Sequence, residues 1–276
     1  MAVVKVEIVD TAFAHAPGMS WYHKPAYIEW VRGQKGDTDV CFFTDRSIGA
    51  VPTHSAKRKV AIIIEPCCVD DVGMRNVITY LDQLDYVLAY DNTFQNIVHP
   101  SSKLLKYPIG GCWIELKDQH LNHLKTNLVS LVASHKNWAP GHKLRHILAD
   151  LYKGRMDLWG KGYTPVNDKA TATAPYMFSV AIENDVVDDL FTEKLIDCLI
   201  TGTVPIYWGT SAISNYFNTD GFLIFKTPEE FHKIFDSLSP DLYLSMIPAI
   251  KDNYARALEY KMADDWIFRN YPFLFT

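Results

Sequence analysis

The sequence predicts an α/β fold built as two Rossmann-like halves, each a doubly wound parallel sheet, facing a cleft. Three observations predict it. Short Val/Ile-rich runs alternate with segments of helical spacing along the chain, the pattern that parallel sheets require. That pattern occurs twice, over two stretches of similar length. The 276 residues, 48% hydrophobic and 21% charged, fill two domains of roughly 100–150 residues and carry no disordered, collagenous or coiled-coil bias. The boundary is expected at 124/125, giving domains of residues 1–124 and 125–276, with a last helix able to return to the first.

In the first half, Val3–Val9 reads as a strand, Pro25–Arg32 as a helix and Asp39–Thr44 as a strand. Lys59–Ile64 is a largely apolar run of strand length, as expected of a strand covered on both faces. Val72–Leu84 has helical spacing, Tyr86–Tyr90 is again a strand, and residues 92–118, with Pro100, Pro108, Gly110 and Gly111, read as irregular. In the second half Gln119–Lys125 reads as a short helix and Leu128–Ser134 as a strand. His142–Lys153 is helical, with Leu144, Ile147, Leu148 and Leu151 on one face. Strands follow at Met156–Trp159, Tyr176–Ile182, Val204–Trp208 and Leu223–Phe225. Helices are expected at Glu193–Thr201, at Pro228–Ser237 and from Leu242 onward.

The net charge of −5 argues against a protein that holds nucleic acid by charge. The early apolar run Ala2–Val9 is broken by Lys5 and Glu7, so neither a membrane span nor a signal peptide is expected. The five cysteines, Cys41, Cys67, Cys68, Cys112 and Cys198, form an odd set without a C-x-x-C pair. Reduced structural thiols in a cytoplasmic protein fit that pattern.

Residues 176–209, YMFSVAIENDVVDDLFTEKLIDCLITGTVPIYWG, carry the most information. Thr192 is a good N-cap before Glu193 and Lys194, and Gly202 stands just past the helix. The loop from Asn184 to Phe191 thus leaves the carboxyl end of a parallel strand and feeds a helix N-terminus. Open α/β sheets bind ligands there, and the free N–H groups suit phosphate. Lys194 adds a full charge, and Glu193 can accept from a sugar or ribose diol. The spacing alone also fits a solvated first turn with Asn184 as a turn former.

This stretch, FSVAIEN, seven residues, then TEKLIDCLITGTVPIYWG, resembles the donor-binding signature of the family 10 glycosyltransferases, the α1,3/4-fucosyltransferases. More weakly, VSLVASHKNWAPGHKLRHILADLYKGRMDLWGKGY resembles the family's strand, arginine-opened helix and D-x-x-G. KVAIIIEPCCV followed by LDYVLAYD resembles its strand ending in a glutamate. The resemblance covers roughly residues 55–235 and implies a GT-B fold. Residues 1–124 would then form the acceptor-side domain and 125–276 the nucleotide-sugar-binding domain. It implies Glu65 as catalytic base and Arg145, Asn184, Glu193, Lys194, Ser134 and Thr192 as donor-binding residues. On the acceptor side, Asp10, His15 and His23 are weaker candidates, with Asp10 or His15 the substitute base.

The implied reaction is inverting transfer from a nucleoside diphosphate sugar, GDP-fucose first, to a hydroxyl of an oligosaccharide or glycoconjugate. Protein cations would stabilise the leaving group, so no metal or other cofactor is expected and no nucleic acid partner. Two alternatives stay open: a UDP-sugar such as UDP-xylose as donor, and a non-catalytic glycan- or nucleotide-sugar-binding protein of the same fold. One departure stands out. The family pattern has an aromatic residue two before the Thr of T-E-K, where this chain has Leu190, followed by Phe191.

Other signals compete less well. Asp37 and Asp39 imitate a metal-binding D-x-D but precede a strand instead of following one. His120/His123 and His142/His146 have helix-face spacing without a carboxylate or thiol partner pattern. Trp21, Tyr22, Tyr27 and Trp30 have the near-helical spacing of core, and otherwise of a stacking surface for a sugar.

Overall fold

The computed structural model describes residues 2–20, 23–90 and 103–276. They form two compact units, each around its own parallel sheet. The first comprises residues 1–109, 187–190 and 262–276, and the second residues 110–186 and 191–261. The division therefore falls at 109/110 rather than 124/125. Among the described residues no helix is long and apolar enough to cross a membrane.

The first unit's sheet runs β2-β1-β3-β4-β5-β6, from β1 (Val4–Val9), β2 (Ile28–Val31), β3 (Val40–Thr44), β4 (Arg58–Ile62), β5 (Tyr86–Ala89) and β6 (Leu104–Lys106). Every pairing is parallel. β3 is buried at all five positions, which matches its apolar run. A 3₁₀ helix, Asp45–Thr53, follows β3, and helix α1 (Val72–Tyr80) follows β4. Connections leave β1 and β3 in opposite directions across the sheet, so a crevice opens at their carboxyl ends.

Two expectations fail here. Pro25–Arg32 is not a helix: Ile28 and Trp30 are buried while Glu29 is exposed, the period of two that lets β2 pair with β1. β6, inside the segment read as irregular, adds three residues to the sheet edge. Trp21 and Tyr22 lie outside the described residues. Of their set, Tyr27 stacks on Phe268 and Trp30 meets Phe42 edge-on, both as packing contacts.

The second unit's sheet runs β11-β10-β9-β7-β8, from β7 (Asn127–Val132), β8 (Asp157–Trp159), β9 (Tyr176–Ile182), β10 (Val204–Trp208) and β11 (Leu223–Ile224). Helices α2 (Pro140–Leu151), α3 (Ala170–Thr173) and α4 (Glu193–Ile200) connect them, and α5 (Pro228–Ser237), α6 (Pro240–Ser245) and α7 (Ile247–Tyr260) follow. Helix α8 (Ala263–Asn270) belongs to the first unit, where Ile267, Leu274 and Phe275 enter the core. Gln119–Lys125 is not helical. His123 Nε2 lies 2.7 Å from the Asp118 carbonyl and the Asn122 N–H donates to His120 Nδ1, local bonds that compete with a helix. The order of strands reverses between β7 and β9, so their carboxyl-end loops flank this sheet's crevice.

Candidate active site

The crevice of the second unit is built on a close approach of backbones. The Gly141 N–H, in the first turn of α2, donates to the Asn184 carbonyl at 3.0 Å. A Cβ at Gly141 would stand 1.7 Å from the Glu183 carbonyl oxygen, so only glycine lets α2 begin there. One turn on, Arg145 is buried. Its Nε and Nη2 donate to the Ile182 carbonyl at 3.2 and 2.9 Å, and Nη2 donates to Asn184 Oδ1 at 2.8 Å. The arginine thus pins the end of β9 and orients Asn184. Its Nη1 makes no hydrogen bond among the described residues. Burial lowers its proton affinity, while Glu183 and Glu193 oppose that shift.

Glu183, which sequence reasoning passed over, organises the facing wall. Fully buried, it accepts from the Thr192 N–H at 2.9 Å and from Thr192 Oγ1 at 2.7 Å. Thr192 caps α4 by accepting from the Lys194 N–H. Lys194 Nζ donates to Thr192 Oγ1 at 3.0 Å and Glu193 Oε1 at 3.1 Å, and lies 3.6 Å from Glu183 Oε2. Burial alone would raise the Glu193 carboxyl, but Lys194 and Lys169 bring it down to about 2. Lys169, also missed, pairs with buried Asp197 at 2.6 Å, which accepts from the Trp113 N–H. The signal for Glu183 was its place inside the quoted I-E-N motif; nothing local marks Lys169.

Arg145, Asn184, Thr192, Glu193 and Lys194 therefore meet around one strand end and one helix start. Three cations there, Arg145, Lys169 and Lys194, are matched by three carboxylates, Glu183, Glu193 and Asp197. His142 is buried, its Nδ1 accepts from the Ala139 N–H, and burial beside Arg145, Lys136 and Lys194 lowers its pKa to about 4. Ser134 lies in the loop after β7, where its Oγ accepts from the Lys136 N–H. A cavity of about 600 Å³ opens beyond β7 and β8, lined by His135, Asn137, Lys143, His146, Gly162 and Tyr163. Neither residue at the departure offers a ring to it: Leu190 sits in the first unit's core, and Phe191 packs against Tyr216, Phe217 and Tyr260.

In the first unit, Glu65 stands half-buried just past β4, and its N–H meets Asp45 Oδ1 at 3.4 Å. Asp10 is held on both carboxylate oxygens. Its Oδ1 accepts from the Ala12 and Phe13 N–H groups and from Thr44 Oγ1, and its Oδ2 takes Arg32 at 3.0 Å. His15 is exposed and His23 half-buried in the segment between β1 and β2.

Among the described residues, one trio could hold a metal ion: Glu7, Cys41 and His54, whose ligand atoms lie within 4.8 Å of one another. His54 Nε2 is already 3.3 Å from Glu7, its Nδ1 accepts from the Ala56 N–H, and burial pushes the Cys41 thiol up to about 12. Asp39 is ion-paired to Lys35 and Lys57. Of the paired histidines, His120 and His123 stack on each other, whereas His146 bonds Tyr163 and Lys136 and His142 bonds Ala139.

Residues 122–256 match the profile described as "Glycosyltransferase family 10 (fucosyltransferase) C-term". An alpha-(1,3)-fucosyltransferase of Helicobacter pylori is 31% identical over 106 residues, 36% of this chain and 21% of that protein. Mouse 4-galactosyl-N-acetylglucosaminide 3-alpha-L-fucosyltransferase 9 is 31% identical over 139 residues, 46% of this chain and 38% of that protein. The chain thus spans between a fifth and two fifths of these relatives' lengths. A solved alpha1,3-fucosyltransferase with GDP-fucose superposes with a TM-score of 0.56 at 17% identity, covering 89% of this chain and 81% of that one. A pneumococcal O-GlcNAc transferase with UDP and GlcNAc gives 0.57 at 11% identity, covering 85% and 56%. Residues 122–256 thus resemble the family 10 glycosyltransferase C-terminal domain, and the chain as a whole has the GT-B kind of two-sheet fold.

Proposed function

We propose that this protein is an inverting glycosyltransferase that moves a sugar, fucose first, from a nucleoside diphosphate to a hydroxyl of a glycan acceptor. The observation that carries the reading is the convergence of Arg145, Asn184 and the capped start of α4 at the switch point of the second sheet. A diphosphate there meets a guanidinium and an ammonium at the positive end of a helix. The nucleoside has room in the cavity beside α2. Glu193, ionised, accepts from the sugar or ribose. In the step itself the acceptor oxygen forms a bond to the anomeric carbon as the bond to the diphosphate breaks. Glu65 takes the acceptor's proton, and the cations hold the departing charge. The cation set does this without a metal, and a UDP-sugar is the second donor the same walls suit.

The test is a thermal-shift series with GDP, UDP and their sugars, read with release of GDP from GDP-fucose. GDP is expected to raise the melting temperature. Arg145→Ala is expected to abolish that shift, and Glu65→Ala to keep the shift while losing turnover by about 10²-fold or more. No shift with any nucleotide would remove the enzyme reading, and a shift without turnover in the parent protein would favour the binding-protein one.

A further inference from the structure

At the carboxyl end of the first unit's sheet, the backbone leading into Glu65 is held residue by residue. Tyr107, fully buried, donates its hydroxyl to the Ile63 carbonyl at 2.8 Å, and the Ile63 N–H donates to Leu88. The Ile64 N–H donates to Asp45 Oδ1 at 2.8 Å, and the Glu65 N–H reaches the same oxygen at 3.4 Å. Asp45 is only 5% exposed. It sits at φ 41°, in the left-handed region where few non-glycine residues are found. Helix α1 fits against it: a Cβ at Gly73 would stand 2.9 Å from the Asp45 Cα. A buried acid in an uncommon backbone conformation, fitted to a helix and bonded to the base's own segment, is a built feature.

We propose that Asp45 is a positioning residue for Glu65: its buried carboxyl pins the backbone from which Glu65 projects. Its part in turnover rests on Glu65 being the base, as proposed above. Both hydrogen bonds fall on Oδ1, so a proton on Oδ2 would disturb neither. Burial, with the Glu65 and Asp70 carboxylates nearby, raises Asp45 to about 7. Among the described residues, Asp70 is bridged by Arg46, Asp71 by Arg75 on α1, and the Tyr107 phenol feels Asp45 in turn. Coupling between two carboxyls is mutual. An ionised Glu65 therefore holds the proton on Asp45 more tightly.

The experiment is a carboxyl carbon NMR titration of the full chain as wild type, Asp45→Asn and Glu65→Gln. The asparagine keeps an oxygen for the Ile64 N–H and removes the charge. In Glu65→Gln the Asp45 midpoint is expected to fall by about one unit. Asp45→Ala loses about tenfold to a hundredfold in kcat with GDP binding kept, and Asp45→Asn restores most of that. Full kcat in Asp45→Ala, or an Asp45 midpoint unchanged in Glu65→Gln, would overturn the proposal. Full turnover in Glu65→Ala would instead overturn the base assignment while leaving the measured coupling in place.

Discussion

At the scale of single residues, the second unit's crevice depends on groups whose chemistry is masked by their neighbours. Lys194 reads in the sequence as a free cation at a helix start. In the structure its charge faces Glu183 and Glu193, and with Arg145, Lys169 and Asp197 the corner is balanced. A diphosphate is then attracted by the placing of the cations and the helix dipole more than by net charge. Glu193→Ala tips the balance positive. It is expected to strengthen binding of inorganic pyrophosphate while weakening GDP-fucose, measured side by side by calorimetry; equal weakening of both would show that Glu193 serves only to hold Lys194. Gly141→Ala is expected to cost about 3 kcal/mol in urea unfolding, because the new methyl would have to displace the Glu183 and Asn184 backbone. Arg145 was legible from the arginine-opened helix. That two of its nitrogens serve Ile182 and Asn184 was not, because a fork's partners come from a strand far along the chain.

At the scale of elements, α4 was readable almost to its ends. Thr192 is the cap, the helix runs from Glu193 to Ile200, and Gly202 follows at φ 67°, each set by local chemistry. The cap does more than close a helix, since the same hydroxyl donates to buried Glu183. Thr192→Ala is expected to cost about 2 kcal/mol and Thr192→Ser much less, compared by denaturant melts. β2 was misread for the opposite reason: four residues carry too short a period to decide, and pairing with β1 decided it.

At the scale of the whole molecule, residues 262–276 complete the first unit. Phe275 stacks on Phe42 at 5.2 Å between ring centroids, and Ile267 and Leu274 are fully buried. Truncation after Lys261 is expected to strip hydrogen-exchange protection from β1 to β5 and leave β7, β9 and β10 protected. Glu193 gives the second unit an acid sensitivity. Its carboxyl lies at about 2 in the fold against an ordinary value of 4.5, so the unfolded chain binds the proton first. The stability it contributes is present above about 4.5 and lost as pH falls toward 2. Melting temperatures across that window should drop in the parent and less steeply in Glu193→Gln.

The amino-acid order by itself determined the alternation of strands and helices, the fold class, and the strand, loop and capped helix of residues 176–209. Those follow from apolar periodicity, capping and turn chemistry, which act over a few residues. Only the tertiary structure decided that the chain divides after Ile109, that Glu183 and Lys169 flank the helix start, that Phe191 turns into a core, and that Asp45 underpins Glu65. Each of these depends on which distant strands become neighbours, and burial and charge pairing are set by those neighbours rather than by position along the chain.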